Sequence, residues 1–88
     1  MLIQTAGQVV ELTGSNAQRK NAQIQNRGPG TAFVQRWPFP GGTTNPPGIP
    51  RVPVNGIMSD LPPGPVHKGA WYVLVDVANT EVTFDEQI

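Results

Sequence analysis

The stretch Gly69-Ala-Trp-Tyr-Val-Leu-Val-Asp-Val-Ala-Asn-Thr-Glu-Val-Thr-Phe84 decides the fold class. It reads as two strands joined by a short turn. Trp71, Val73 and Val75 share one face of the first strand, and Tyr72, Leu74 and Asp76 share the other. Both faces are largely apolar, so this strand is expected to lie centrally with cover on two sides. Ala78-Asn79-Thr80 is the predicted turn, Val82 and Phe84 return on one face, and Asp85-Glu-Gln-Ile88 is expected to fray.

Further toward the N-terminus, residues 19–26 alternate in character. Ala22 and Ile24 face inward with Lys20 and Asn26, while Arg19, Asn21, Gln23 and Gln25 face the other way. Asn26-Arg-Gly-Pro-Gly-Thr31 is then a predicted hairpin connector: glycine supplies positive φ, and Pro29 cannot donate to a ladder. The return strand over 31–37 carries Phe33, Val34 and Trp37. Residues 1–4 and 8–13 are short strand candidates, with a turn cluster at Thr13-Gly-Ser-Asn16. The one tempting helical stretch, 17–25, has too thin an apolar face.

Between these parts lies a segment, 38–65, in which nine prolines and five glycines make 14 of 28 residues. Neither a helix nor a central strand tolerates that density. Yet Trp37, Phe39, Ile49, Val52, Val54, Ile57, Met58 and Leu61 are too apolar for a plain linker. The segment is expected to be an extended arm that packs on a partner, with one short strand over 56–61. The chain is thus a single β domain, 1–88. It comprises N-terminal strands and a hairpin (1–37), the arm (38–65) and a C-terminal hairpin (66–88). The expected fold is all-β, a small β-sandwich or jelly-roll-like barrel with an extended Pro/Gly-rich arm.

Composition narrows the function. A chain of 88 residues makes one domain with a small core, burying about 60% of its unfolded surface. It has no cysteine, so neither disulfides nor thiolate metal sites stabilise it. Six basic residues balance six acidic ones. No basic stripe is visible, which argues against nucleic acid as a partner. Charged residues are 14% of the chain, against about 25% in ordinary soluble domains, which suits lasting contact with other protein. No apolar run approaches the roughly 20 residues of a membrane span. Met1-Leu-Ile-Gln4 lacks a signal-peptide pattern, so assembly in the host cytoplasm is the expectation.

Chemistry-bearing residues are sparse. His67 is the single histidine and has no ligand spacing around it, so it reads as an exposed residue before a strand, and no metal or cofactor is expected. Ser15 and Ser59 lack a nucleophile motif. Asp76 and Glu81 approach across the predicted turn but read as solvated acids, and Asp85 and Glu86 point to opposite faces. Gly28-Pro-Gly30 has no following helix to form a phosphate loop. Pro47/Pro50, Pro50/Pro53 and Pro62/Pro65 fit a stiff arm better than a ligand for a proline-binding groove. Trp37, Phe39, Trp71 and Tyr72 admit a sugar-binding reading, with core and interface packing preferred. No catalytic residues are expected, and the protein reads as non-enzymatic.

The order of motifs adds a resemblance. A strand ending Ile24-Gln25-Asn26 is followed by a Gly-rich turn and the Thr-Ala-Phe-Val strand. Leu61-Pro-Pro-Gly64 comes later, then a Trp/Tyr strand reaching Val75-Asp76, and Ala78-Asn79-Thr80 leading into Val82-Thr-Phe84. Over about residues 8–84 this resembles the small β-sandwich virion structural proteins of tailed bacteriophages: decoration (cement) proteins and head or tail accessories. The resemblance implies a capsid decoration protein that docks on the shell and stabilises it by bridging neighbouring subunits. Its partners would be the major capsid protein or another virion protein, and its own copies in a homo-oligomer; a trimer would suit threefold positions. The arm residues Trp37, Phe39, Ile49, Val52, Val54, Ile57 and Met58 would bind the partner. The competing readings are a host-surface glycan module of a tail fibre or spike, and a cytoplasmic adaptor that folds around its partner.

Overall fold

Alternation of inward apolar and outward polar side chains builds eight strands among the residues that the computed structural model describes, 1–60 and 66–88. These are β1 (Leu2–Ile3), β2 (Val10–Thr13), β3 (Asn21–Gly28), β4 (Ala32–Gln35), β5 (Arg51–Val52), β6 (Ile57–Asp60), β7 (Trp71–Val75) and β8 (Thr80–Gln87). Leu61 of the predicted 56–61 strand, the Leu61-Pro-Pro-Gly64 motif, the Pro62/Pro65 spacing and the end of the 38–65 arm lie outside the described residues. The strands form two antiparallel four-stranded sheets, ordered β1-β8-β3-β6 and β2-β7-β4-β5. The all-β expectation holds, and the arrangement is that of a small β-sandwich.

The core fills the space between the sheets. Ile3, Ala22, Ile24 and Val82 from the first sheet meet Leu12, Ala32, Val34, Trp71, Val73 and Val75 from the second. As the sequence suggested, β7 is central, between β2 and β4, and Trp71 is completely buried. Its ring is covered by the Arg36 guanidinium, 4.7 Å from the centroid, and met edge-on by the half-buried His67 ring at 5.5 Å.

The two predicted hairpins are corrected. β3 and β4 are not partners, and neither are β7 and β8: each pair is split between the two sheets. The chain changes sheet at every connection except β4–β5. The reason lies in the polar side chains at the turns, which bond to neighbouring connections instead of closing a ladder. The Asn26 amide nitrogen donates to the carbonyls of Gly30 (2.7 Å) and Val52 (2.8 Å), and its oxygen accepts the Gly28 amide at 2.8 Å. Thr80 Oγ1 accepts the Gly30 amide at 3.1 Å, and Asp76 Oδ1 accepts the Thr31 amide at 2.7 Å. Gly30 admits no side chain, because a Cβ there would lie 2.6 Å from Asp76 Oδ1 and 2.8 Å from Val77 Cβ. The crossings at 28–31 and 76–79 are therefore interlocked. A third at 53–56 joins them through the Asn55 amide, which donates to the Asn26 carbonyl at 2.7 Å, and the Asn26 amide, which donates to Gly56 at 3.1 Å.

The opposite end is closed by a charge. Arg19, expected to face outward, precedes β3 and is fully buried. Its guanidinium donates to the carbonyls of Gly14, His67 and Gly69, each at 2.9 Å, and through Nε to Glu86 at 2.5 Å. Bidentate and multi-carbonyl bonding of this kind keeps a buried guanidinium satisfied. The expected fraying of 85–88 is also corrected: β8 continues to Gln87 because β3 pairs with it as far as Asn21. Asn21 and Gln87 then bond to each other through side chain and backbone.

Two outcomes follow. Asn26→Asp replaces the two donors aimed at the Gly30 and Val52 carbonyls with an acceptor, and should lower stability at neutral pH by about 3 kcal/mol in urea unfolding, since each buried orphan costs about 1–3 kcal/mol. A loss under about 1 kcal/mol would show that the crossings do not depend on this side chain. For Glu86, the Arg19 hydrogen bond, opposed by burial and assisted by Asn16, holds its carboxyl below the ordinary glutamate value of 4.5. The stabilisation is therefore complete above that value and is lost as pH falls through the lower folded-state value. Glu86→Gln should remove this part of the acid sensitivity, which stability curves of both proteins taken from neutral pH downward will show.

Candidate functional site

Sheet β2-β7-β4-β5 presents a second apolar surface away from the main core. Phe33 and Leu74 on β4 and β7 point there, as β-alternation demands with Val34, Val73 and Val75 inward. Left open, two such side chains would expose a sizeable apolar patch. The Pro/Gly-rich segment covers it. Phe39 packs on Phe33 and Leu74, with Ile49, Tyr72 and Val9 around them. The segment lies against its own body as a ribbon, and closing it onto a sheet of the same chain costs only loop-closure entropy.

Several bonds hold that ribbon. At its start, Arg36 pairs with the carboxylate of Asp60, which is buried and also accepts the His67 amide at 3.1 Å. The Gly42 amide donates to the Gly7 carbonyl at 2.8 Å, and the Gly7 amide donates to Val75 at 2.9 Å. The Val34 amide donates to the Pro50 carbonyl at 3.0 Å and leads the ribbon into β5, the edge strand beside β4. Arg51 stacks over the Phe33 ring at 5.7 Å and bonds to the Asn45 side chain. After the crossing at 53–56, β6 forms the edge beside β3. Both short strands are edge strands, the one place where so much proline is tolerated in a sheet.

The seven residues assigned to partner binding consequently divide. Val52 is 2% exposed and belongs to the main core, and Phe39 is 8% exposed in the outer cluster. Ile49 and Met58 are half-buried against those two clusters. Trp37, Val54 and Ile57 face solvent at 58%, 44% and 56% exposure. Val54 sits against Gly28 at the crossing end, whereas Ile57 is on β6 opposite Gln25. Trp37 follows Arg36 at the other end of the ribbon. The structure therefore does not bring the seven onto one outward face: the chain's own body takes up the apolar side chains that a neighbour was expected to receive.

The aromatic quartet is likewise not gathered into a sugar platform, since Trp71 and Phe39 are buried and Tyr72 is half-buried, leaving Trp37 alone in solvent. His67 is half-buried rather than exposed, and its Nε2 lies 3.0 Å from the Ala70 carbonyl. Asp76 is bonded to Thr31, and Glu81 faces the N-terminal ammonium at 3.4 Å. Among the described residues no group of three or more His, Cys, Asp or Glu side chains is placed to hold a metal ion, and no helix is long and apolar enough to cross a membrane. Beside Trp37 the ribbon encloses a cleft of ≈ 260 Å³ walled by Phe39, Pro40, Pro46, Pro47 and Ile49. Sequence reasoning missed this cleft, although the spacing of Pro40 from Pro46-Pro47 marks a bend that brings prolines together.

No protein-family model matches the chain, and no curated protein or solved structure is significantly similar to it.

The division of the ribbon gives a direct expectation. Phe39→Ala should destabilise the whole domain by about 3 kcal/mol, as for a large buried side chain. Trp37→Ala should change stability by no more than about 0.5 kcal/mol, as for a surface position. Thermal unfolding of both variants tests this; equal, small effects would mean that the ribbon is not packed on the body.

Proposed function

We propose that this chain is a non-enzymatic structural protein of a bacteriophage virion, a capsid decoration or cement protein that docks on the shell and bridges neighbouring subunits. The observation that carries the reading is the ribbon: Phe39, Ile49 and Val52 pin it to the sandwich while Trp37, Val54 and Ile57 stand in solvent. Large apolar side chains on a held backbone are what a docking surface needs, because little conformational entropy remains to be lost on binding. Tryptophan is also among the side chains that most often anchor protein interfaces. The net charge of zero favours apolar and backbone contact over electrostatic steering. The outer edges of β2 and β6 carry backbone groups suited to pairing with a partner's strand.

The assignment to a virion, and to the major capsid protein or another virion protein as partner, rests on the order of motifs along residues 8–84. The arm of the sequence reading becomes, in this proposal, a preorganised ribbon whose exposed residues meet the shell.

Quantitative mass spectrometry of purified particles tests the reading. Copy numbers comparable to the major coat protein are expected, and the double variant Val54→Asp, Ile57→Asp should fold normally yet occupy particles at least about tenfold less at a given concentration, since each tenfold is only about 1.4 kcal/mol of lost contact. Absence of the wild-type chain from particles would overturn the proposal.

A further inference from the structure

The ribbon carries both halves of a contact. One half is Trp37, the most exposed aromatic side chain, at 58%. The other is the cleft of ≈ 260 Å³ that begins two residues later, walled by Phe39, Pro40, Pro46, Pro47 and Ile49. Its wall is apolar and rigid, since proline rings have a fixed φ and Phe39 is clamped from behind by Phe33 and Leu74. Flat proline and phenylalanine faces suit an indole, which brings a large apolar area with few rotatable bonds.

We propose that Trp37 of one copy seats in the proline-walled cleft of a second copy, and that the exchange is reciprocal. The reason for a second copy as occupant is that each chain supplies knob and hole in one patch: residues 37 and 39 are separated by at most about 7 Å of backbone. A two-fold axis through that patch fills both clefts at once and closes the assembly, whereas a one-way insertion would propagate. Copies of a chain with zero net charge also meet without net repulsion.

Area sets the strength. Two indoles bury roughly 300–500 Å² between them, well short of the about 1,200 Å² of a stable standard interface. The pair is therefore weak in free solution and gains strength when copies are held close on a common surface, through effective concentration. This inference goes beyond the virion reading and does not depend on it.

The experiment is made on the full chain without any shell. Sedimentation equilibrium from micromolar to millimolar protein is combined with acrylamide quenching of tryptophan fluorescence. Trp71 is fully buried, so the quenchable signal reports Trp37. The expected result is a monomer–dimer equilibrium in which the quenchable indole becomes protected over the same concentration range. Trp37→Ala should weaken dimerisation at least about tenfold, as for an interface anchor. Pro47→Glu should do so from the cleft side while leaving its Trp37 quenchable at every concentration. Both positions are exposed, and unchanged circular dichroism establishes that the variants are folded. A chain that stays monomeric throughout, an assembly larger than a dimer, or a dimer whose Trp37 remains fully quenchable would each overturn the proposal.

Discussion

The fold depends on the side-chain amide of Asn26. It is completely buried near the end of β3 and makes three hydrogen bonds, to Gly28, Gly30 and Val52. Its own backbone groups bond to Asn55 and Gly56. One residue thus joins the crossings at 28–31 and 53–56, and the Gly30–Thr80 and Thr31–Asp76 bonds extend the tie to the crossing at 76–79. Such a network is favourable only when every member is satisfied, because an orphaned amide or carbonyl in this setting costs more than a made bond contributes. Arg19 performs the corresponding task at the other end, joining the carbonyls of Gly14, His67 and Gly69 to Glu86. With two sheets and 88 residues, the apolar core is small, and these two buried polar residues, flanking one strand, fix which strand follows which.

That arrangement explains what was legible in the sequence. The period-2 patterns of 19–26 and 69–84 identified β3, β7 and β8 and the inward residues Ala22, Ile24, Trp71, Val73, Val75 and Val82, because burial of one strand face is a local property. The two-sided apolar character of β7 also marked it as central. Pairing was not legible. A glycine-proline-glycine turn serves a hairpin or a crossing equally well; what separates them is whether Asn26, Asp76 and Thr80 bond along the ladder or across to another connection. Those partners lie 45 to 50 residues apart for Asp76 and Thr80. Arg19 escaped notice for the same reason, since its acidic partner is 67 residues away and is placed only by the β3–β8 register.

The candidate surface was legible in composition but not in orientation. The apolar content of the Pro/Gly-rich segment marked it as something that packs. What it packs on is the outer face of sheet β2-β7-β4-β5, where Phe33 and Leu74 need cover. This changes the physical character of the docking element: a loose arm would lose its freedom on binding, whereas a ribbon pinned by Phe39, Ile49 and Val52 has already lost it on folding. The residues left to a partner are then few and defined, with Trp37 beside an apolar cleft at one end and Val54 and Ile57 beyond the crossing at 53–56.

Native-state hydrogen exchange, resolved by residue, tests this account most directly. The amides of Asn26, Gly28, Gly30, Thr31, Asn55 and Asp76 at the interlocked crossings, and of Gly42 in the ribbon, are predicted to exchange only through global unfolding, with the same protection as the amides of central strand β7. Exchange of these amides at nearly the rate of an unstructured chain, while β7 stays protected, would contradict it.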